Sequence, residues 1–435
     1  MLAALLPIRK GNFDRALLRA HQYGGILSAH FGVVRVVVVT APEYIEEVLV
    51  KNHKCYHKDP GYASLRKVLG NGLLTSEDDF HLRQRRLIQP AFHKDAIARH
   101  ADDMVALTRE ACTSWRDGET RDLNRDLMAC TLAIIGKTMF GADVREEAAD
   151  IAHALDIFMR YQDRYAVEAI GKVFDCLPLK STREANACIN RLNQTIHGMI
   201  EAHRKNTEPQ GDLLDMLLAA QDAEDGSRMS DAQIRDEAIT LFLAGHETTA
   251  IALTWTAYML SQHPAAEARL HEELDRVLEG RPATMADLEH LEYTRQVFAE
   301  SMRLYPPAYG FGRQAIHENT VGGYRIRKGT IVIISPYVTH RDPHIWPQPE
   351  RFDPSRWTPE AMATRHKFAY CPFGGGVRKC IGESFAWMEG ILVLATLAQH
   401  WKMRLAPGFT PALDPKVTLR PKGGMPMSVY RRESV

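Results

Sequence analysis

FGGGVRKCIG, Phe373–Gly382, puts a single cysteine, Cys380, directly behind three consecutive glycines and a basic pair. A buried structural thiol needs none of that company. Consecutive glycines let the backbone take positive φ and approach another group closely. From Cys380 to Trp401 the chain is apolar enough for a buried helix, which places the thiol near a helix N-terminus. Unpaired amides and the helix dipole there favour a thiolate. A thiolate serves nucleophilic attack, disulfide exchange or metal binding, and the rest of the chain has to choose.

Composition narrows the choice. The 435 residues are 45% hydrophobic and 25% charged, and 54 basic residues balance 54 acidic ones. A net charge of zero does not suggest nucleic acid as a partner. Seven cysteines, Cys55, Cys112, Cys130, Cys176, Cys188, Cys371 and Cys380, are scattered without a C-x-x-C pair. Such a pattern fits a reducing cytoplasm and neither a disulfide framework nor a zinc ribbon. The N-terminal run MLAALL before Pro7 is too short for a signal peptide or a membrane span. A cytoplasmic protein without an integral membrane segment is expected.

Apolar residues at three-and-four spacing predict helices over Asn12–Tyr23, Pro42–Asn52, Asp95–Trp115, Arg121–Phe140, Glu184–Arg204 and Ser230–His263. The β-branched run FGVVRVVVVT, Phe31–Thr40, predicts a strand, and GGYRIRKGTIVIIS after Tyr305-Pro306-Pro307 predicts short β pieces followed by a Pro-rich coil. No linker divides the chain and no repeat of solenoid length occurs. The expected fold is mainly α with a small β portion (α+β), one domain over 1–435, with a long central helix.

That central helix opens on the capping box Ser230-Asp231-Ala232-Gln233 and stops at His263-Pro264. Asp236, Glu237, His246 and Glu247 exclude it from lipid. Midway lies LFLAGHETTA, Leu241–Ala250. An isolated helix glycine is usually a packing residue costing about 1 kcal/mol against alanine. Ala244-Gly245 beside Glu247-Thr248 says more: small residues let a flat ligand lie against the backbone, and an acid beside a hydroxyl suits proton delivery.

FGGGVRKCIG fills all five fixed positions of F-x-x-G-x-R-x-C-x-G, and on it the chain resembles the cytochromes P-450, the haem-thiolate monooxygenases. AGHETT resembles the family's oxygen-activating helix, ESMR (Glu300–Arg303) its E-x-x-R pair, PERF (Pro349–Phe352) its meander motif, and HLRQR (His81–Arg85) the H-x-x-x-R of its soluble members. The resemblance, from about Phe31 to Arg420, implies haem b with Cys380 as axial iron ligand. Pro372, Phe373, Gly374, Arg378 and Gly382 would surround that ligand, and glycine amides would hold the sulfur. Ala244 and Gly245 would face the haem, and His81, Arg85, Arg313 and Arg378 would pair its propionates, since buried carboxylates demand cations. Glu300, Arg303 and Arg351 would form a structural ion network. Cys371 lacks a helix start and is read as structural.

The same resemblance implies that O2 is a co-substrate, that Glu247 relays protons and that Thr248 steers the second one. No fused reductase is expected, so electrons from NAD(P)H would arrive through a ferredoxin or flavodoxin and its reductase. Arg83, Arg86, Arg378 and Lys379 form a candidate basic docking patch. A peroxide-driven peroxygenase or a haem-thiolate isomerase or dehydratase would share the fold, and a cysteine hydrolase would need a base and no iron. By analogy the pocket involves Tyr62–Leu74, Ile157–Ile170, Phe242–Thr248, Ala308–Phe311 and Gly423–Met425. These are largely apolar, so a hydrophobic small molecule such as a terpenoid, fatty acid, steroid or polyketide is the expected substrate, acted on by a monomer.

Overall fold

Ser230 starts the longest helix by a reciprocal cap: its hydroxyl accepts the Gln233 amide at 3.3 Å, and the Gln233 side chain accepts the Ser230 amide at 2.8 Å. In the computed structural model, which describes residues 24–32, 34–143, 180–206, 211–222, 224 and 226–432, this helix runs unbroken over Asp231–Gln262. Its 32 residues reach about 48 Å at 1.5 Å each, enough to traverse the fold. Pro264, which cannot continue it, opens the next helix, Pro264–Leu278.

The central helix packs along Leu123–Phe140. Gly245 decides how closely: a Cβ there would lie 2.6 Å from Ile135 Cδ1. Nearby, the Thr131 hydroxyl crosses to donate to the His246 carbonyl at 2.8 Å. The helix carrying the cysteine loop, Glu383–His400, is apolar all round and buried among the central helix, Pro264–Leu278 and Ala101–Ala111. Together these elements form the principal core, with Phe140, Phe242, Trp255 and Phe298 at its centre.

The main sheet has five strands. Ile26–Phe31 pairs antiparallel with Val34–Val39, which pairs parallel with Ile331–Ile334; that strand joins Phe311–Ala315, and Tyr56–Lys58 closes the edge. The expected strand Phe31–Thr40 is therefore the second arm of a hairpin, because Phe31 lies opposite Val34 and Gly32, at φ +58°, turns the chain between them. Other expectations shift at their ends. Pro42–Asn52 is an α-helix over Pro42–Glu46 that widens to π geometry over Glu47–Lys51. Asp95–Trp115 splits into Lys94–Ala98 and Ala101–Ala111, with Arg99 holding the break by donating to the Ala96 and Gly211 carbonyls. Arg121 and Asp122 belong to a strand, and Asp122 caps the helix that follows. Glu184–Arg204 lies inside a helix over Lys180–Lys205. The expected helix Asn12–Tyr23, the pocket segment Ile157–Ile170 and Cys176 lie outside the described residues.

Candidate active site

The glycines of the cysteine loop have separate reasons to be glycine. Gly374 and Gly376 sit at φ +68° and +65°, where a side chain is strained. Gly375 is extended, but a Cβ on it would collide with the Phe368 ring. The loop closes on itself through the Cys380 amide, which donates to the Phe373 carbonyl at 2.9 Å, and the Gly374 amide, which donates to the Cys371 carbonyl at 3.0 Å. Pro372 is buried behind it and Phe373 packs on Trp387, with ring centroids 6.1 Å apart.

Cys380 is enclosed by protein yet leaves its side chain open, so it forms part of an internal wall. Burial pushes its thiol pKa up, against the donated Gly382 amide and the nearby Arg85 and Lys379 charges. This corrects the thiolate expected from a helix start: the helix begins at Glu383, with Gly382 as its cap, so the dipole acts from beyond the sulfur. A bound metal cation ionises such a thiol outright. Cys371 is different in kind. It is buried, its pKa is pushed up to about 12 by burial, and its amide donates to His340 Nε2 at 3.0 Å.

Within the central helix, most residues from Ile234 to Leu260 are buried, but Ala244 is exposed and Leu241, Gly245 and Thr248 are half-buried. Leu241, Ala244, Gly245 and Thr248, spaced at three and four, form one open stripe, and Arg235, Asp236, Leu243 and Tyr258 are half-buried off it. A side chain on Gly245 is excluded by Ile135, while Ala244, the exposed member of the pair, leaves the stripe open at the next position. The Thr248 hydroxyl donates to the Ala244 carbonyl at 2.9 Å. Glu247 is buried and turned elsewhere: its Oε1 accepts Arg420 Nε at 2.8 Å and the Thr418 hydroxyl. Sequence neighbours here do not form an acid–hydroxyl pair, because successive helix residues point about 100° apart.

The four residues expected around the propionates, three arginines and one histidine, do converge. His81 is buried, and burial together with Arg378, Lys58, Arg85 and Arg313 pushes its pKa down to about 3, leaving a neutral imidazole. Arg85 donates to the Lys379 carbonyl at 2.7 Å and lies against Cys380; Arg378 donates to the Ser76 carbonyl at 2.6 Å and pairs with Glu77. Arg313 comes from the strand Phe311–Ala315, where its register partner is Lys58. Lys58 is not anticipated from the sequence; Tyr62, expected only as a pocket residue, brings its hydroxyl to Arg313 and its ring within 4.8 Å of the Lys58 ammonium. Burial and the charges of Arg313 and Arg378 drive the Lys58 pKa well below that of an ordinary lysine. Like charges directly opposite on paired strands are destabilising. Glu77 and Asp59 are the acids acting on this cation, so the cluster carries surplus positive charge. Beside an enclosed thiol and an open small-residue stripe, it fits a flat metal-bearing dianion.

The ion network under the loop departs from expectation. Arg303 grips Glu300 through two bonds of 2.8 Å, both side chains fully buried. The second cation is Arg356, whose Nε lies 3.3 Å from Glu300 Oε1, while Arg351 is exposed and contributes only its carbonyl, 3.1 Å from Arg303 Nη2. Trp357 Nε1 and the Asp353 amide also donate to Glu300, at 3.0 and 2.9 Å. PSRW, Pro354–Trp357, thus fills the place assigned to PERF. The basic patch is corrected too: Arg83 and Arg86 are tied to Asp222, Arg86 also to Glu224, and Lys379 to Glu383. Two further acids are buried: Glu237, read from the sequence only as a charge that excludes lipid, and Glu389, which the sequence reading does not single out. Burial pushes Glu237 and Glu389 up to about 8, and Glu389 faces Thr249 across the two helices.

Comparison with known proteins agrees with this geometry. The family model described as Cytochrome P-450 matches residues 3–426. The chain is 40% identical to cyclooctatin synthase of Streptomyces melanosporofaciens over 418 residues, covering 96% of this chain and 90% of that protein. It is 37% identical to cyclooctat-9-en-7-ol 5-monooxygenase of the same organism (91% and 85% covered) and 33% identical to pentalenene oxygenase of Streptomyces avermitilis (90% and 86%). The crystal structure of the cytochrome P-450DA heme domain superposes with a TM-score of 0.87 at 27% identity, covering 97% of this chain and 94% of that one. With an enclosed cysteine loop, a central helix open at Ala244 and Thr248, and kinship across nearly its whole length, the chain belongs to the cytochrome P-450 family and is a P-450 monooxygenase.

Proposed function

We propose that this enzyme inserts one atom of O2 into a C–H or C=C bond of a terpenoid hydrocarbon or a simple alcohol derived from one. Two relatives are named for an alkene, pentalenene, and an alkenol, cyclooctat-9-en-7-ol. The pocket segments that lie in described residues are mainly apolar. The observation that carries the reading is the surplus of cations around Lys58 and Arg313 beside the enclosed Cys380. Haem b bound there supplies the reductive activation of O2. Cys380 would ligate its iron, and His81, Arg85, Arg313, Arg378 and Lys58 would hold its propionates. Ala244 gives a flat ring room against the central helix, while Phe373, Gly374 and Gly382 shape the ligand loop. Pro372 braces that loop from behind.

Proton handling falls to Thr248 and Glu247. Thr248 offers a hydroxyl on the open stripe and holds its proton toward the Ala244 carbonyl until a better acceptor arrives. Glu247 must first leave its pair with Arg420 and Thr418, so Arg420 governs when that carboxylate becomes a relay. Electrons would come from NAD(P)H through a ferredoxin or flavodoxin and its reductase, delivered to a cytoplasmic monomer. Among the described residues no helix is long and apolar enough to cross a membrane. A peroxide-driven reaction is the second reading, favoured by the engaged state of both Glu247 and Thr248.

The test is product formed per NAD(P)H consumed, with hydrogen peroxide measured in parallel, for wild type, Thr248→Val and Glu247→Gln. Uncoupling in the first variant and slowed reductant consumption in the second support O2 chemistry. Tight coupling in Thr248→Val, with turnover on added peroxide equal to wild type, moves the peroxide reading ahead.

A further inference from the structure

The loop Gly70–Ser76 joins the helix Tyr62–Leu69 to the helix Asp78–Ile88, and so lies between Lys58–Tyr62 on one side and His81–Arg85 on the other. Up to Glu77, which precedes the second helix and pairs with Arg378, it contains no ionisable side chain. Its backbone is instead fastened to the central helix by two successive acids. Asp236 accepts the Asn71 amide at 2.7 Å, and Glu237 accepts the Leu73 amide at 2.8 Å. The approach is so close that a Cβ on Gly70 would collide with the Asp236 carboxylate, and one on Gly72 would sit against the Thr240 hydroxyl and 2.7 Å from the Asp236 carbonyl. From the other side Gln84 donates to the Asn71 carbonyl at 2.8 Å, and Arg66 holds the Thr75 carbonyl at 2.9 Å.

The two acids are not equivalent. Asp236 is neutralised by Arg235, 2.6 Å away, which is itself held by Asn193. Glu237 is fully buried, and among the described residues its Oε1 has no hydrogen-bond partner. A buried carboxyl with one oxygen unserved is costly if its only task is to pack.

We propose that Asp236 and Glu237 are positioning residues of the haem site: by capturing the Asn71 and Leu73 amides they fix the loop that sets where the Lys58–Tyr62 and His81–Arg85 segments present their cations. This rests on the propionate role proposed above. Burial holds the Glu237 proton up to about pH 8, with Asp236 the charge acting on it. The docked loop therefore binds a proton that an opened, hydrated carboxyl would release. Docking from this group is complete below the ordinary carboxylate range and is lost as pH rises through 8.

Haem transfer from the holoenzyme to apomyoglobin and hydrogen exchange at the Leu73 amide, its rate divided by the intrinsic base-catalysed rate at each pH, test this, each run from pH 6 to 9. Glu237→Ala should speed both about tenfold at pH 7, the worth of one lost buried hydrogen bond. Glu237→Gln, which keeps a carbonyl for Leu73 but cannot ionise, should match wild type at pH 7 and stay flat where wild type accelerates toward pH 9. Arg313→Ala serves as the reference for the cation cradle. If Arg313→Ala speeds haem transfer and Glu237→Ala does not, the positioning role is refuted and the cradle stands. If neither changes transfer, the cradle itself is refuted and the positioning role falls with it. A Gln variant that accelerates with pH as wild type does also overturns the role given to Glu237.

Discussion

Replacing Lys58 with methionine should stabilise the protein without haem and weaken its hold on haem. Lys58 and Arg313 are register partners on antiparallel strands, which places their Cβ atoms about 5 Å apart on one face. With charged ends about 6 Å apart and an effective dielectric of about 20, their repulsion is roughly 3 kcal/mol, and partial exposure of Lys58 trims it toward 2. For 435 residues the unfolding entropy is about 0.9 kcal/mol/K, so relief of the repulsion raises Tm by roughly 2–3 °C. The pH dependence has a definite sign. The Lys58 pKa is lower folded than unfolded, so between those values the unfolded chain binds more protons and stability rises with pH. Lys58→Met removes that rise, and its Tm gain is largest at acid pH, where the wild-type ammonium is charged. Scanning calorimetry of haem-free wild type and variant between pH 6 and 10, with haem transfer on the loaded forms, reads both effects. A variant with lower Tm and unchanged haem retention would refute the surplus-charge argument.

Arg356→Ala should cost about 3 kcal/mol or more because it strips a cation from a buried carboxylate, whereas Arg351→Ala should stay within about 0.5 kcal/mol; urea midpoints for the pair decide between the two registers. Gly245→Ala should cost roughly 1–3 kcal/mol through overpacking against Ile135, and Ile135→Ala in the same chain should restore much of it. His81 should remain neutral down to about pH 3 in the folded protein, so its imidazole proton resonances stay flat through pH 6.5. Below that pH the unfolded chain gains a proton that the folded one refuses, and stability falls.

What could be read from the sequence was whatever local chemistry settles. The Ser230–Gln233 cap and the Pro264 stop involve residues within one turn, and both appear as expected. The cysteine loop is mostly local: Gly374 and Gly376 answer to backbone angles and Gly375 to the Phe368 ring, while the Leu49 carbonyl, far off in sequence, also excludes a side chain at Gly376. Long-range pairings are another matter. Glu247 and Thr248 adjoin in sequence, yet the acid belongs to Arg420, 173 residues away, and only tertiary packing decides that. Gly245 could have faced a ligand or a helix, and its identity follows from Ile135. Lys58 became meaningful only when strand pairing put it opposite Arg313. Arg356, and not the expected Arg351, reaches Glu300, a difference of register. PERF and PSRW each place an arginine before an aromatic residue, five positions apart, and the second brings Trp357 Nε1 to the same carboxylate. An arginine followed by a donor-bearing indole was the available signal.

The ferrous carbon monoxide spectrum tests the central claim most directly, because its strongly red-shifted Soret band requires a thiolate on the iron. Wild type and Cys371→Ser should both show the band, and Cys380→Ser should lack it while still binding some haem through the cations around Lys58 and Arg313. A Cys380→Ser protein that keeps the band, or a Cys371→Ser protein that loses it, would contradict the assignment of Cys380 as the ligand.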